Sequence, residues 1–472
     1  MNFRGICFYL GLFCLPISFL AFFQILFSSY FDYFLNLDSY TSTLFASLAL
    51  TIIFYFIGKK AEKKIDFHEQ IILIIFIYFI VSILISIPYY LSNYQIPFIN
   101  SLFEAFSGIT GTGFSIFKNV KYLDPTLILW RSFSQWLGGL YFLIFLLLFF
   151  SNRQFNYKLN NLVYNEDKSL NPETNIKNIS IKIFFFYSII TISIYLLFSI
   201  SGIRLFDGLN LTMSLVSAGG FLPTNDLNQI IRTNLQEIIL ILSFLVSIFN
   251  IYFVYSLFRK KNFLLIHFED IVLFILIIVT TIFITIIIEN SSLIENIINI
   301  LSSLGNSGIV SNKIPSNYSL LFLIFTLIGG SIISNTSGIK FIRIYILLKA
   351  SVIEIFKLVR PNNVVNQKIL YSNNAIDINL VKLSFLIFIS FFISLFILSS
   401  ILLLDNINFE DSFKLSILTL TNTATSDLYG ISEINFSNLL TSTKLFIIIF
   451  MIIGKIELIS FFLIIKKIFF KN

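Results

Sequence analysis

The sequence predicts an all-α, polytopic membrane protein with a fourfold internal repeat, and three observations predict it. The first is composition: of 472 residues, 57% are hydrophobic and only 12% charged, with a mean hydropathy of +0.89. Soluble domains carry about 25% Asp, Glu, Lys and Arg. The second is a series of apolar runs near twenty residues, the length that crosses about 30 Å of hydrocarbon at 1.5 Å per residue. The third is a short segment that recurs four times between those runs.

Composition also excludes. Eight Pro and nineteen Gly are too few for a collagen-like or low-complexity chain. The two cysteines, Cys7 and Cys14, share one apolar run, so they offer no disulfide framework and no paired metal ligands. Two His leave no basis for a histidine metal site. Fifty-eight Phe, with abundant Ile, Asn and Lys, look like the bias of AT-rich coding, so no Phe or Lys is given a role without positional support. The net charge of +7 sits at the ends of apolar runs, which assigns it to topology rather than to nucleic acid.

Ten spans are predicted, at 6–28, 42–58, 70–91, 125–150, 181–202, 234–258, 268–289, 318–349, 380–404 and 442–466. The first is too long and too weakly flanked for a cleaved signal peptide. An even number of spans puts both termini on one face. Basic clusters lie on that face: Lys59, Lys60, Lys63 and Lys64; Arg153, Lys158, Lys168 and Lys177; Arg259, Lys260 and Lys261; Lys340 through Arg343, Lys349, Lys357, Arg360 and Lys368; and Lys466, Lys467 and Lys471. The positive-inside rule makes that face cytoplasmic.

The recurring segments are SLFEAFSGITGTGFS, GLNLTMSLVSAGGFLP, NIINILSSLGNSGIVS and SFKLSILTLTNTATSD, all on the opposite face. Each is expected to open at a helix N-cap, at Asn100, Asp207, Glu295 and Asp411. Thirteen residues later come Gly113, Gly220, Gly308 and Ala424. Four matches at one spacing read as a repeat of span, short helix, polar loop and span. About ten helical residues reach only about 15 Å, half the membrane. Backbone that leaves the helix at that depth must be buried in protein or line a water-filled path.

The loops carry small and polar residues without charge: Thr110, Gly111, Thr112 and Gly113; Ser217, Ala218, Gly219 and Gly220; Gly305, Asn306, Ser307 and Gly308; Thr421, Asn422, Thr423 and Ala424. Around one axis they would present rings of carbonyls able to replace the hydration shell of a monovalent cation. The half-helices would point their negative ends at the same place. The competing reading is four ordinary loops after weakly apolar segments.

These residues carry a resemblance. SLFEAFSGITGTGFS resembles the first filter segment of the Trk/Ktr/HKT superfamily of potassium transporters, and WRSFSQWLGG (Trp130 to Gly139) the helix start after it. IGGSIISNTSGIKFIRIYILLK with RPNNVVNQKI is similar to the third-repeat inner helix and its cytoplasmic link, and IGKIELISFFLI to the last helix. The resemblance is nearest to the TrkH branch and spans nearly the whole chain. It implies four tandem M1–P-loop–M2 units around a pseudo-fourfold pore, plus two extra N-terminal helices, usually as a homodimer. The implied divisions are 1–66 for the extra helices, then 67–153, 154–262, 263–368 and 369–472 for the repeats. It implies K⁺ bound in the filter and a cytoplasmic nucleotide-binding, TrkA-like regulatory partner. No Walker or dinucleotide glycine pattern follows a strand here, so a nucleotide would belong to that partner.

Two departures from the family pattern bear on mechanism. Ala424 stands where the family has Gly; a left-handed backbone there would cost about 1–2 kcal/mol, and an extended one nothing. It motivates the alternative of a sodium-permeable or mixed-cation transporter. The third-repeat span is interrupted by Gly329, Gly330, Ser331, Ser334, Asn335, Thr336, Ser337 and Gly338, and is expected to unwind inside the bundle; the resemblance makes it a gating loop, with Ile332 and Ile333 bulkier than usual. A small-residue kinked helix is the competing reading.

Lys455 is an ionisable residue inside the last span, about two turns from its outer end, where the family usually has Arg. It is read as a barrier in the conduction path near the loop, with a salt bridge to Glu457 or snorkelling as the alternative. Glu104 and Arg131 are read as a structural pair or pore-mouth residues, near the outer ends where their position permits solvation, and Trp130, Trp136, Tyr89 and Tyr90 as interfacial belts. Spans without His, Asp or Glu clusters argue against a membrane enzyme. The expected function is potassium uptake through a carbonyl-lined filter, without covalent chemistry; the reading from another class is a non-conducting membrane assembly subunit.

Overall fold

A computed structural model describes residues 2–61, 65–151, 176–257, 267–288, 292–311, 316–359, 378–431 and 434–456. The basic residues Lys63, Lys64, Arg153, Lys158, Lys168, Arg259 to Lys261, Arg360, Lys368, Lys466, Lys467 and Lys471 lie outside the described residues, as do Glu457 and RPNNVVNQKI. Sixteen α-helices, joined in places by single 3₁₀ turns, and no strand occur among the described residues. The protein is an all-α polytopic membrane protein. Seven of the described helices are long and apolar enough to cross a membrane, and their exposed faces carry residues such as Phe19, Phe45, Phe185, Val279 and Phe396, which lipid covers at no cost.

The N-terminal pair is α1 (Phe3–Tyr30) and α2 (Leu37–Gly58). The Asn2 side chain caps α1 by accepting the Gly5 N–H at 2.9 Å. Four units follow. The first is α3 (Phe67–Tyr90), the half-helix α4 (Phe98–Thr110) and α5 (Pro125–Ser151). The second is α6 (Ile176–Ile200), α7 (Leu205–Val216), α8 (Asn234–Ile248) and α9 (Ile251–Leu257). The third is α10 (Phe268–Ile287), α11 (Leu293–Leu304), α12 (Ser319–Ile328) and α13 (Phe341–Val359). The fourth is α14 (Ile378–Leu402), α15 (Phe409–Thr421) and α16 (Thr441–Ile456).

Asn100, Asp207, Glu295 and Asp411 keep their common register but are not N-caps. Each is the third residue of its half-helix, and the caps are Pro97, Arg204, Ser292 and Asn408. Position three is where a side chain can reach back to the cap, as Glu295 does with Ser292 in a capping box. The half-helices are polar yet buried, because their hydroxyls bond back to their own helix. Thr212 Oγ1 donates to the Gly208 carbonyl and Ser416 Oγ to the Ser412 carbonyl, both at 2.7 Å.

The packing closes a ring. Besides the spans of its own unit, each half-helix touches the second span of the preceding unit: α7 meets α5, α11 meets α8, α15 meets α12, and α4 meets α16. Within the first and fourth units, two glycines let the half-helix lie against its own second span. A Cβ on Gly138 would lie 1.9 Å from the Ile109 carbonyl oxygen, and one on Gly454 would lie 2.3 Å from that of Leu420. These are the glycines of the WRSFSQWLGG and IGKIELISFFLI stretches.

Two predicted spans are broken. The expected unwinding at 318–349 is present: α12 stops at Ile328 and α13 starts at Phe341. The break in 234–258 was not expected, since SIFNIYF holds neither Pro nor Gly. There the freed groups bond to the third unit: the Ile248 carbonyl accepts the Ser331 N–H at 2.9 Å, and the Ile251 N–H donates to the Ile333 carbonyl at 3.0 Å. The aromatic belts also need correction. Tyr90 is exposed, but Trp130 and Tyr89 are buried, and the Trp130 indole donates to the Ile85 carbonyl at 3.0 Å.

Candidate functional site

The four loops adopt related backbones, and the reason lies in how each half-helix ends. The second loop residue is left-handed in every unit: Gly111 at φ 77°, Ala218 at 56°, Asn306 at 56° and Asn422 at 49°. Gly and Asn tolerate this helix-ending conformation most readily, and the second unit holds it with Ala218. In three units the third loop residue then returns its N–H to a helix carbonyl five residues back: Gly219 to Ser214, Ser307 to Ser302 and Thr423 to Leu418, at 2.8–3.0 Å. Position four differs. Gly113 and Gly308 are left-handed, whereas Gly220 and Ala424 are not among the positive-φ residues, so the alanine carries no left-handed strain.

The fourth residues converge. A Cβ on Gly113 would fall 3.0 Å from Gly220 Cα and 2.8 Å from Ala424 Cβ. One on Gly220 would fall 2.4 Å from the Ser307 carbonyl oxygen, and one on Gly308 2.3 Å from that of Ala424. The floor formed here opens to a mouth cavity of about 1060 Å³ that Gly113, Gly220, Gly308 and Ala424 all line.

Side chains brace the ring. Asn422 Nδ2 donates to Thr112 Oγ1 and to the Met451 carbonyl, both at 2.9 Å, tying the fourth loop to the first. Asn306 Nδ2 reaches Thr423 Oγ1 at 3.2 Å, tying the third to the fourth. Thr110 and Thr112 share a hydroxyl bond of 2.7 Å, matched by Thr421 and Thr423 at 2.9 Å.

The unwound stretch lies against the opposite side of the ring. Asn335 Nδ2 donates to the Val216 carbonyl at 2.6 Å, and the Ser337 N–H to Asn306 Oδ1 at 3.1 Å. Lys455 Nζ donates to the Asn335 carbonyl at 3.0 Å and would lie 3.6 Å from a Cβ on Gly111. Ser331, Ser334, Thr336 and Ser337 are buried with it. Lys455 is the fifteenth of the sixteen residues of α16, nearly four turns from the helix start rather than two.

A chain with these parts can be compared with known proteins. No family model matches the sequence. Over 456 residues, 93% of this chain and 90% of the relative, it is 27% identical to an uncharacterized cation transporter of Methanocaldococcus jannaschii. It is 25% identical over 457 residues, 91% of this chain and 92% of the relative, to the Trk system potassium uptake protein TrkG of Escherichia coli. The fold matches the crystal structure of the potassium transporter TrkH from Vibrio parahaemolyticus over all of both chains, with a TM-score of 0.83 at 18% identity. Over nearly its whole length the chain is similar to Trk-system potassium uptake proteins, and it shares the fold of TrkH.

Three features of this chain were missed or misread from sequence. Glu104 and Arg131 form a buried pair, Nε to Oε1 at 2.8 Å with 0% and 2% exposure, instead of a solvated one. The pair fixes the chain leaving the first loop, since Glu104 Oε2 accepts the Ile116 N–H at 2.8 Å. Lys340 and Arg343, counted among the surface basic residues, are buried at the unwound stretch. Gln135 was not singled out. Its Oε1 accepts Ser214 Oγ at 2.9 Å and the Phe221 N–H at 3.2 Å, so α5 of the first unit holds the second loop. A lone Gln in an apolar span was the available signal. Gln135→Leu strands those donors and is expected to cost about 1–3 kcal/mol, read as a lower melting temperature in detergent; an unchanged melting point would remove Gln135 from the support of the loop.

Proposed function

We propose that this chain is the ion-conducting subunit of a potassium uptake system. The observation that carries the reading is the convergence of four matching loops on one axis, between an open mouth and a buried, lysine-contacted stretch. The filter is formed by Thr110 to Gly113, Ser217 to Gly220, Gly305 to Gly308 and Thr421 to Ala424, whose carbonyls substitute for water around a dehydrated K⁺. The stretch Ser331 to Gly338, with Lys455, is the gate. Flux follows the cation gradient and membrane potential, with no covalent step. The names of the relatives support potassium as the cargo.

On this reading the membrane is the plasma (inner) membrane and both termini are cytoplasmic, as the basic clusters require. The units divide at 66, 153, 262 and 368. The working assembly is a homodimer with a cytoplasmic nucleotide-binding regulatory subunit. The test is growth of a potassium-uptake-deficient bacterium on low K⁺, with ⁸⁶Rb⁺ and ²²Na⁺ uptake measured alongside; expression without rescue or uptake refutes it.

Ala424 bears on the sodium alternative. Its backbone is not left-handed, so its methyl narrows the ring floor without re-aiming carbonyls. Ala424→Gly is therefore expected to keep the Rb⁺-to-Na⁺ uptake ratio within about twofold, below the tenfold that 1.4 kcal/mol of discrimination represents. A larger change would assign selectivity to that methyl.

A further inference from the structure

Lys340 precedes α13 directly, and its backbone is left-handed at φ 75°, a conformation an L-residue keeps only when its surroundings impose it. That turn folds the side chain back beneath the unwound stretch, where Lys340 is 0% exposed. Its Nζ meets five oxygens. The Thr336 carbonyl lies at 2.5 Å and Thr336 Oγ1 at 3.2 Å; the Ser331 carbonyl, the Ser334 carbonyl and Ser334 Oγ all lie at 3.3 Å. The Phe142 ring centroid lies 5.5 Å away, within reach of a cation–π contact. Glu269, which accepts the Ile332 N–H at 2.9 Å, attracts the ammonium electrostatically.

An ammonium has three protons to donate. Five oxygens around it exceed what three directed bonds use, and carbonyls mixed with hydroxyls are the ligand types that replace a monovalent ion's hydration shell, with room to close in on an ion in place of the ammonium. We propose that the turn Ser331–Thr336 is a monovalent-cation site that the protein fills with its own Lys340 ammonium. The tethered charge holds the turn in its compact form, so releasing the lysine and rearranging the stretch become one event. The site is separate from the filter. Its ligand class is a cation of potassium or ammonium size.

The experiment uses the full chain in detergent and in proteoliposomes. Lys340→Met and Lys340→Gln leave the oxygens in place without their cation. Both variants are expected to melt lower than the parent in LiCl or choline chloride. KCl or RbCl should then raise their melting temperatures by more than the parent's own potassium shift, since an ion that binds only the folded state stabilises it by mass action. An excess potassium shift of zero in both variants overturns the cation site. Lys340→Arg covers the case in which neither variant folds: a planar guanidinium does not fit a cage built around a compact ammonium, so basal ⁸⁶Rb⁺ uptake should rise several-fold. Parent-level uptake with Arg at 340 overturns the proposal as well. The flux measurement rests on the gate reading above and the melting measurement does not, so the two readings fail separately.

Discussion

Gly220→Ala is expected to lower ⁸⁶Rb⁺ uptake into proteoliposomes by about a hundredfold or more while leaving folded protein in the membrane. The added Cβ would lie 2.4 Å from the Ser307 carbonyl oxygen and 2.3 Å from the Ala424 methyl. Overlaps of that depth force backbone to move, and overpacking costs about 1–3 kcal/mol. The overall fold tolerates such a cost. A ring of carbonyls does not, because each tenfold in ion occupancy corresponds to only about 1.4 kcal/mol. Adding Ala424→Gly removes one of the two overlaps and leaves the Ser307 contact, so the double variant should recover part of the loss. Uptake by Gly220→Ala at the parent rate would sink the assignment of these loops as the filter. No recovery in the double variant would show that the Ser307 overlap dominates.

Lys455→Ala is expected to raise basal ⁸⁶Rb⁺ uptake by roughly ten- to a hundredfold. Its ammonium lies beside the Asn335 carbonyl and next to Gly111, on the side of the ring away from the mouth. At an effective dielectric of about 20, like unit charges about 5 Å apart repel by about 3 kcal/mol, and that term opposes any cation leaving the filter. Asn335→Ala should act in the same direction, since its side chain ties the stretch to the Val216 carbonyl. In the proposed gate both residues form one barrier, so the double variant should conduct little better than the better single one. Reduced uptake in both single variants, or a fully additive gain, would make Lys455 a structural anchor instead.

The repeat was legible in the sequence because thirteen-residue spacing is a local property: a half-helix of twelve or thirteen residues, ended by a left-handed Gly, Ala or Asn, sets both register and ending. Its absolute start was not legible, since an acidic residue suits position three as well as the cap, and the caps themselves include Pro97 and Arg204. The unwinding after Ile328 was visible because eight small or polar residues cannot face lipid. The break after Ile248 was not, because SIFNIYF holds no Pro or Gly and the cap-forming residue at the break, Asn250, which accepts the Tyr252 N–H, is a weak signal alone.

Charge was the other divide. Lys340 sits in a run of basic residues, and Arg131 near a span end, so sequence position argues for solvent at both. Burial instead follows from which oxygens a side chain can reach once remote segments meet: Glu104 for Arg131, and the Ser331–Thr336 turn for Lys340.

Hydrophobic run length, loop composition and repeat spacing determined by themselves that this is a helical membrane protein with four re-entrant loops, because each depends only on residues close in the chain. Tertiary structure alone decided where the second unit's inner helix breaks, which lysine meets the ring and which fills the turn. In a low-dielectric interior, freed backbone groups and buried charges persist only where another segment supplies their partners. For Ile248 that partner is Ser331, and for Lys455 it is Asn335, each more than eighty positions away along the chain.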